Sequence, residues 1–433
     1  MSVAIITILT LVLLFLLFTT GMSIGIAMAL AGFIGFSLLV GVDAALGLVA
    51  VDIYSTFSSY GLTVIILFTL MGQIAVRAGI AKDIYDCTHK WVGHMPGGLA
   101  LGTIVAGGLF KAVCGSGTAA SAMFAGISLP QMDRYGYDKR LSTGVVALLG
   151  TLGGLIPPSQ TLILYGLISG VSIGQLFLAG IIPGIILALS FVATMFIWCS
   201  INPALGPKGD RSTWKARFAA LPSVGWVIAI FLAVLGGLMA GLFTPTEAGS
   251  IGAAAVLVVS LVKREISFKG LIRALSESVH MSCMMLFLLA GATILGHFFA
   301  VTRTPNMVSE FLGTLSLNPY VIIGIICVIY IIGGEFIDDL AFFMLATPIF
   351  MPVVQNLGFD LVWFGVVIAS TLMIGVVLPP LAMLVFLVSG MAKVPLGTVY
   401  KGIYPFLVGM VICVVLFMFV PQLSLWLPNV FMK

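Results

Sequence analysis

Charged residues are scarce in this chain. Only 8% of its 433 residues are Asp, Glu, Lys or Arg, whereas 61% are hydrophobic, and the mean hydropathy is +1.24. About a quarter of the residues of a soluble domain are charged. The scarcity excludes an ordinary soluble domain and indicates a polytopic membrane protein surrounded by a lipid bilayer. The formal charge of +4 needs no nucleic-acid partner, because the positions of the basic residues in short loops account for it.

The chain also lacks the residue patterns of metal and redox sites. Its six cysteines are scattered and include no CxxC pair, which is typical of structural cysteines. His280 and His297 have no second ligand at metal spacing, and Ser116 has no histidine at a matching depth. Asp338 and Asp339 are adjacent, whereas intramembrane proteolysis needs two aspartates on facing spans. We therefore predict that the chain is not an enzyme and has no cofactor other than a coupling ion.

Two proline pairs interrupt long apolar segments at matching positions. Pro157-Pro158 and Pro379-Pro380 are 222 residues apart, and each pair follows a glycine at the same distance, Gly153 or Gly375. A proline pair removes two backbone donors and unwinds a helix, which frees carbonyl oxygens. Broken helices at matching positions of two halves are the best sequence indication of a transporter's binding site.

The same offset relates other segments and divides the chain into two halves. Residues 135–138 correspond to residues 357–360, again 222 positions later. The halves meet in the one long polar stretch of the chain. The predicted units are a first repeat at 1–201, a cytoplasmic linker at 202–222 and a second repeat at 223–433.

Loops that are basic in one half are not basic in the other. Segment 131–140 contains Arg134, Lys139 and Arg140, whereas the equivalent segment 353–362 contains no basic residue. Short loops that are rich in Lys and Arg stay in the cytoplasm. We therefore predict that the two repeats are inverted in the membrane and that the N-terminus is periplasmic.

The apolar segments predict about ten spans and two re-entrant hairpins. Segments 97–130 and 319–352 each have two apolar arms that are too short for two full spans of about 20 residues. Segments 141–170 and 361–391 contain the proline pairs and are predicted to be broken spans. The other spans are predicted at 4–20, 22–40, 59–77, 180–200, 223–242, 245–262, 281–302 and 403–427, with an outer loop between the second and the third.

Both predicted hairpin tips contain polar residues at membrane depth. The first tip has the hydroxyls of Ser116 and Thr118, although small residues of this kind also serve plain helix packing. The second tip has Glu335, Asp338 and Asp339. Intramembrane acids mark ion or proton pathways, but acids near the outer mouth of the membrane would simply be solvated.

The first break and its neighbours supply the remaining candidates. Lys111 either snorkels or pairs with an acid, or it attracts an anionic substrate. Ser159 and Gln160 add a hydroxyl and an amide beside the first break. Carbonyl oxygens at helix breaks suit Na⁺, whereas the N-terminal ends of half-helices suit an anion. The pattern favours a cation-coupled carrier of an anionic solute over a channel, and saturable uptake would separate the two.

Long motifs in both halves resemble the large membrane subunit of TRAP transporters. They are residues 150–159 and 172–184 in the first half, and residues 334–338 in the second, continuing through 347–365. The resemblance covers essentially the whole chain. It implies an elevator-type fold like that of the ion transporter superfamily, in a bacterial or archaeal inner membrane.

The resemblance also implies partners and ligands. The partners would be a small four-helix membrane subunit and a periplasmic substrate-binding protein, and Na⁺ would drive the import of an organic acid such as a C4-dicarboxylate, sialic acid, keto acid or sulfonate. A stand-alone sodium–dicarboxylate carrier is the alternative. The implied sodium-binding residues are Ser116, Thr118, Gly153, Leu155 and Pro158 at the first tip and break, and Gly334, Asp338, Gly375, Val377 and Pro380 at the second. The predicted substrate-binding residues are Lys111, Ser159, Gln160 and Glu335.

Overall fold

The computed structural model describes residues 2–314, 317–336 and 338–432. All regular secondary structure among these residues is helical. Eight of the helical segments are long and apolar enough to cross a bilayer, which confirms the predicted class of polytopic α-helical membrane protein. The number of spans and their direction through the membrane stay predictions. The helices are α1 (Val3–Thr19), α2 (Ile24–Val40), α3 (Val42–Phe57), α4 (Thr63–Arg77), α5 (Ile80–Val92), α6 (Gly98–Cys114), α7 (Gly117–Arg134), α8 (Lys139–Leu148), α9 (Gln160–Ser169), α10 (Ile173–Ile201), α11 (Trp214–Met239), α12 (Pro245–Val262), α13 (Phe268–Val301), α14 (Thr304–Thr314), α15 (Pro319–Phe336), α16 (Asp339–Asn356), α17 (Leu361–Gly375), α18 (Met383–Ala392), α19 (Leu396–Phe419) and α20 (Gln422–Phe431).

The two hairpins and the two broken helices are present where they were predicted. Helices α6 and α7 form the first hairpin, and α15 and α16 form the second. In the first broken helix, α8 continues as a 3₁₀ turn over Leu149–Gly154 and the chain is then non-helical until α9 begins. In the second, the gap lies between α17 and α18. Each gap contains one proline pair, because proline has no amide with which to continue a helix.

The turn between each hairpin and the next broken helix has the same chemistry in both halves. Gly136 and Gly358 have φ angles of +72° and +78°, a conformation that glycine adopts at low cost. The residue after each glycine donates its amide to the carbonyl five residues earlier, at 3.0 Å and 3.1 Å. Asp138 and Asp360 then accept amide hydrogen bonds at the starts of α8 and α17. The repeated sequence therefore encodes a repeated helix stop and restart.

Several helices differ from the predictions. The segment predicted as an outer loop after residue 40 is helical and forms α3, and neither α5 nor α14 was predicted. The predictions relied on the length of apolar runs, and amphipathic helices escape that criterion. In α5, for example, Ile80, Ile84 and Cys87 are buried on one face, at the spacing of an amphipathic helix.

Other boundaries also shift. The predicted last span, 403–427, is wrong as one continuous helix: α19 ends at Phe419, and α20 begins after Pro421, which has no amide to donate. Helices α10, α11 and α13 begin before the predicted residues 180, 223 and 281. Polar residues extend α11 and α13 beyond their apolar parts, so α11 begins inside the predicted linker.

Helices of the first half pack against helices of the second half in four pairs. Helix α2 packs on α13 and α4 packs on α12, while α8 packs on α19 and α10 packs on α17. Glycines permit the closest crossings. A Cβ atom on Gly291 would collide with the Gly25 carbonyl, and one on Gly402 would collide with the Arg140 carbonyl. Small residues allow such close approach in membrane bundles.

Candidate functional site

The two hairpin tips and the two helix breaks surround one cavity of about 130 Å³. Residues 115–118 of the first tip and 338–340 of the second tip line it. Gly153 and Gly154 of the first break and Val376 of the second break complete this part of the wall. The structure therefore brings together the four segments that the proline repeat singled out.

Four helices begin at the wall of this cavity. They are α7, α9, α16 and α18, whose first residues Gly117, Gln160, Asp339 and Met383 all line the cavity. The first turn of a helix has amide groups without intrahelical partners, and the helix dipole places partial positive charge there. Four such ends around one small volume make it favourable for a negatively charged group.

Side chains cap three of these four helix starts. Ser116, Ser159 and Asp338 each accept a hydrogen bond from the amide three residues later, at 3.4 Å, 3.4 Å and 3.1 Å. Ser116 and Asp338 occupy equivalent positions in the two repeats. The residue equivalent to Ser159 is Leu381, and α18 begins after Ala382 without a side-chain cap. The second break therefore lacks the hydroxyl that the first one has.

In the first half, the tip of the hairpin lies directly against the break. A Cβ atom on Gly115 would lie 3.2 Å from the Pro158 carbonyl oxygen. The Ser116 Oγ and Thr118 Oγ1 atoms are 3.2 Å apart, and Ser159 donates to the Gly154 carbonyl at 2.8 Å. Main-chain and hydroxyl oxygens thus lie close together at this first junction.

Lys111 lies at the same junction and is completely buried, with 0% of its surface exposed. Its Nζ atom has no hydrogen-bond partner in the described part of the chain. A Cβ atom on Gly153 would collide with this Nζ, so only a glycine separates the lysine from the cavity. Lys111 itself does not line the cavity. A buried ammonium group without a partner is costly, which indicates that its partner is a ligand or a charge across the wall.

Three carboxylates surround the second junction. Glu335, Asp338 and Asp339 line a second cavity of about 220 Å³, and both aspartates also line the central cavity. Glu335 is only 8% exposed, and its Oε1 atom has no partner within the described residues. No described Lys, Arg or His forms an ion pair with any of the three. Such a group of acids is stabilised by bound cations or by protons.

The predicted site residues fall into two sets. Some line one of the two cavities: Ser116, Thr118, Gly153, Gln160, Gly334, Glu335 and Asp338. Others lie outside both linings: Lys111, Leu155, Pro158, Ser159, Gly375, Val377 and Pro380.

Neighbouring contacts explain the position of several residues in the second set. The Leu155 carbonyl packs against Gly180, and the Pro380 carbonyl accepts a hydrogen bond from the Tyr400 hydroxyl at 3.4 Å. Gly375 packs against the Ile331 carbonyl near the second tip.

Methionines form a part of the cavity wall that the sequence reasoning missed. Met281, Met284 and Met285 of α13 lie on one face of that helix, with Met373 and Met383 on the broken helix. The spacing of the first three residues is the signal that could have identified them. Thioether side chains are flexible and polarizable, so they adapt to different neighbours.

Comparison with known proteins shows the family of the chain. Residues 11–423 match the family model of the tripartite ATP-independent periplasmic transporter, DctM component. The C4-dicarboxylate TRAP transporter large permease protein DctM of Pseudomonas aeruginosa is 31% identical over 381 residues, which cover 88% of this chain and 89% of that protein. The sialic acid TRAP transporter large permease protein SiaM of Vibrio cholerae is 31% identical over 376 residues, which cover 86% and 87%.

A solved structure is similar in fold. The YdaH transporter of Alcanivorax borkumensis, described as having an unusual topology, superposes with a TM-score of 0.65 at 14% identity, over 88% of this chain and 89% of that one. Identity this low shows the fold alone. The family match, by contrast, spans almost the whole sequence. The chain therefore belongs to the DctM family, the large permease component of the TRAP transporters of bacteria.

Proposed function

We propose that the chain carries a small organic acid across the bacterial inner membrane, together with Na⁺ and by an elevator movement. The convergence of four helix N-termini on one cavity is the observation that supports transport of an acid. These helix ends supply positive potential without basic side chains in the cavity lining. The named relatives transport C4-dicarboxylates and sialic acid, which are also organic acids.

The acids at the second junction support coupling to Na⁺. Glu335, Asp338 and Asp339 line one cavity together with Val376 and Leu381 of the second break, and they have no basic partner among the described residues. Carboxylate and carbonyl oxygens are the ligands that hard cations prefer. A bound Na⁺ would satisfy the orphaned Glu335 oxygen and lower the repulsion between the acids. Sodium and the organic acid would then bind in adjacent positions.

The packing of the helices supports an elevator movement. Helices α6–α10 and α15–α20, here called the carrier unit, contain both hairpins and both broken helices. Helices α1–α4 and α11–α13, here called the scaffold, pack on one another through the α2–α13 and α4–α12 pairs. Met281, Met284 and Met285 of the scaffold face the cavity of the carrier unit. Flexible thioether side chains suit a surface along which another unit slides.

The partners follow from the family. A tripartite transporter has two components besides this one, and we propose a small membrane subunit and a periplasmic binding protein for this chain. The stand-alone sodium–dicarboxylate carrier remains the competing proposal.

Reconstitution tests the proposal. The chain, its small subunit and the binding protein are placed in and around liposomes, and uptake of the labelled acid that the binding protein retains is measured. We expect uptake only with all three proteins and an inward Na⁺ gradient, and none when choline replaces Na⁺. Uptake without the binding protein would support the stand-alone carrier, and uptake in choline would contradict sodium coupling.

A further inference from the structure

We propose that the transported acid also bears a positively charged amino group, so that the substrate is a small zwitterion. This inference rests on the proposed function and specifies its substrate class. It follows from the charges on opposite sides of the central cavity, which are positive at the first junction and negative at the second. An amino acid or an aminosulfonate has the matching pair of charges.

The first junction is the positive side of the cavity. The N-termini of α7 and α9 begin here at Gly117 and Gln160, both of which line the cavity. Lys111 adds a buried ammonium group immediately behind Gly153, and this group has no partner among the described residues. A carboxylate or sulfonate at this wall would accept hydrogen bonds from the free amides of these helices and would compensate the positive charge of the lysine.

The second junction is the negative side. Asp338 and Asp339 face the same cavity at the opposite hairpin tip. The N-terminus of α16 stabilises their charge, but it cannot replace a counter-cation for two adjacent carboxylates. Glu335 supplies an independent observation. It is 8% exposed, and its Oε1 atom has no hydrogen-bond partner among the described residues. These acids would repel the second carboxylate of a dicarboxylate.

The numbers of charges favour a zwitterion. One buried lysine lies behind the wall of the central cavity, whereas three carboxylates line this cavity or the second one, and Asp338 and Asp339 line both. When all three carboxylates are ionised, one Na⁺ between Glu335 and Asp338 would leave Asp339 uncompensated. A substrate ammonium group beside Asp339 removes that excess, whereas a simple acid or a dicarboxylate adds to it. The equivalent of Asp339 in the first repeat is Gly117, so this charge is specific to one side.

Matched pairs of small acids test this inference. Taurine and isethionate differ only in having an ammonium group or a hydroxyl, and so do alanine and lactate. Thermal unfolding of the full-length purified chain in NaCl is followed while each compound is titrated. We expect the amino member of at least one pair to stabilise the protein at a tenfold or more lower concentration than its hydroxy partner.

Two substitutions assign the effect to the opposite walls. Asp339→Asn should abolish the preference for the amino member. Asp339→Glu keeps the carboxylate and should retain the preference, which would show that a substitution at this position does not disrupt the fold. Lys111→Met should weaken the binding of both members of a pair by similar factors. The controls are Asp43→Asn and Lys208→Met, which change exposed residues outside the cavity lining and should leave all titrations unchanged.

The inference is overturned when no amino compound stabilises the protein, or when every hydroxy compound binds as tightly as its amino partner. It is also overturned when Asp339→Asn keeps the preference of the wild-type chain. Sodium-driven uptake of a hydroxy acid in the reconstituted system would leave the proposed carrier function in place while the zwitterion is rejected. Absence of any sodium-driven uptake would instead reject the carrier function.

Discussion

At the scale of single residues, equivalent positions in the two repeats share a structural role but differ in charge. Ser116 and Asp338 both cap the second arm of a hairpin, and both line the central cavity. The sequence could predict them, because polar residues at an apolar hairpin tip are conspicuous. The orphaned state of Lys111 could not be predicted, since it depends on which groups of α7 and the first break pack around its Nζ atom.

Asp338→Asn separates the charge of this residue from its role as a helix cap. Asparagine caps a helix about as well as aspartate does, so α16 should keep its start. Loss of the carboxylate should raise the Na⁺ concentration that gives half-maximal stabilisation or uptake by tenfold or more. A sodium titration of the purified chain, monitored by thermal unfolding, measures this.

Asp360→Asn is the matched control for this experiment. Asp360 caps α17 in the same way but lies outside both cavities. Its substitution should leave the sodium titration unchanged. A titration of Asp338→Asn that coincides with that of the wild-type chain would refute Asp338 as a sodium ligand. Ser116→Ala tests the first junction in the same assay, where we expect a smaller decrease in sodium affinity.

At the scale of helices, proline positions and the lengths of apolar segments each predicted a part of the fold. The two breaks follow from the proline pairs and from the 222-residue offset, whereas the two hairpins follow from apolar arms that are too short for full spans. Helices α3, α5 and α14 were missed, because apolar length does not detect a helix that buries only one face. The interruption before α20 was missed although Pro421 marks it, since the surrounding run is apolar on both sides.

The repeated glycine turn gives a prediction about stability. Gly136→Ala and Gly358→Ala should each destabilise the fold by about 1 kcal/mol, because alanine is strained at positive φ. Gly126→Ala in α7 is the control, since a Cβ atom there meets no neighbour and alanine favours a helix. Thermal unfolding in detergent compares the three variants. Equal midpoints for Gly126→Ala and Gly136→Ala would contradict the role assigned to the turn.

At the scale of the whole molecule, the proposed division into a carrier unit and a scaffold accounts for the position of the central cavity. Both hairpins and both breaks belong to the carrier unit, while the methionine face of α13 belongs to the scaffold. The cavity therefore lies at the boundary between the two units. This position would allow a movement of the carrier unit to change the side of the membrane to which the cavity opens, without breaking the site itself.

A cross-link across this boundary tests the movement. Gly61 precedes α4 of the scaffold, and a Cβ atom there would lie 3.1 Å from the Leu167 side chain of α9 in the carrier unit. In a background without the exposed Cys283, Gly61→Cys and Leu167→Cys should form a disulfide on oxidation. We expect the cross-link to stop uptake but to leave sodium-dependent stabilisation intact, and reduction should restore uptake.

A second cysteine pair within the carrier unit is the matched control. A Cβ atom on Gly409 of α19 would lie 3.8 Å from the Ser190 Cβ atom of α10, so Ser190→Cys and Gly409→Cys should also form a disulfide. Because both helices belong to the carrier unit, this bond should not affect an elevator movement. Full uptake after complete cross-linking of the first pair would mean that α9 does not move relative to α4. The substrate would then have to cross the membrane through local opening of the hairpins alone.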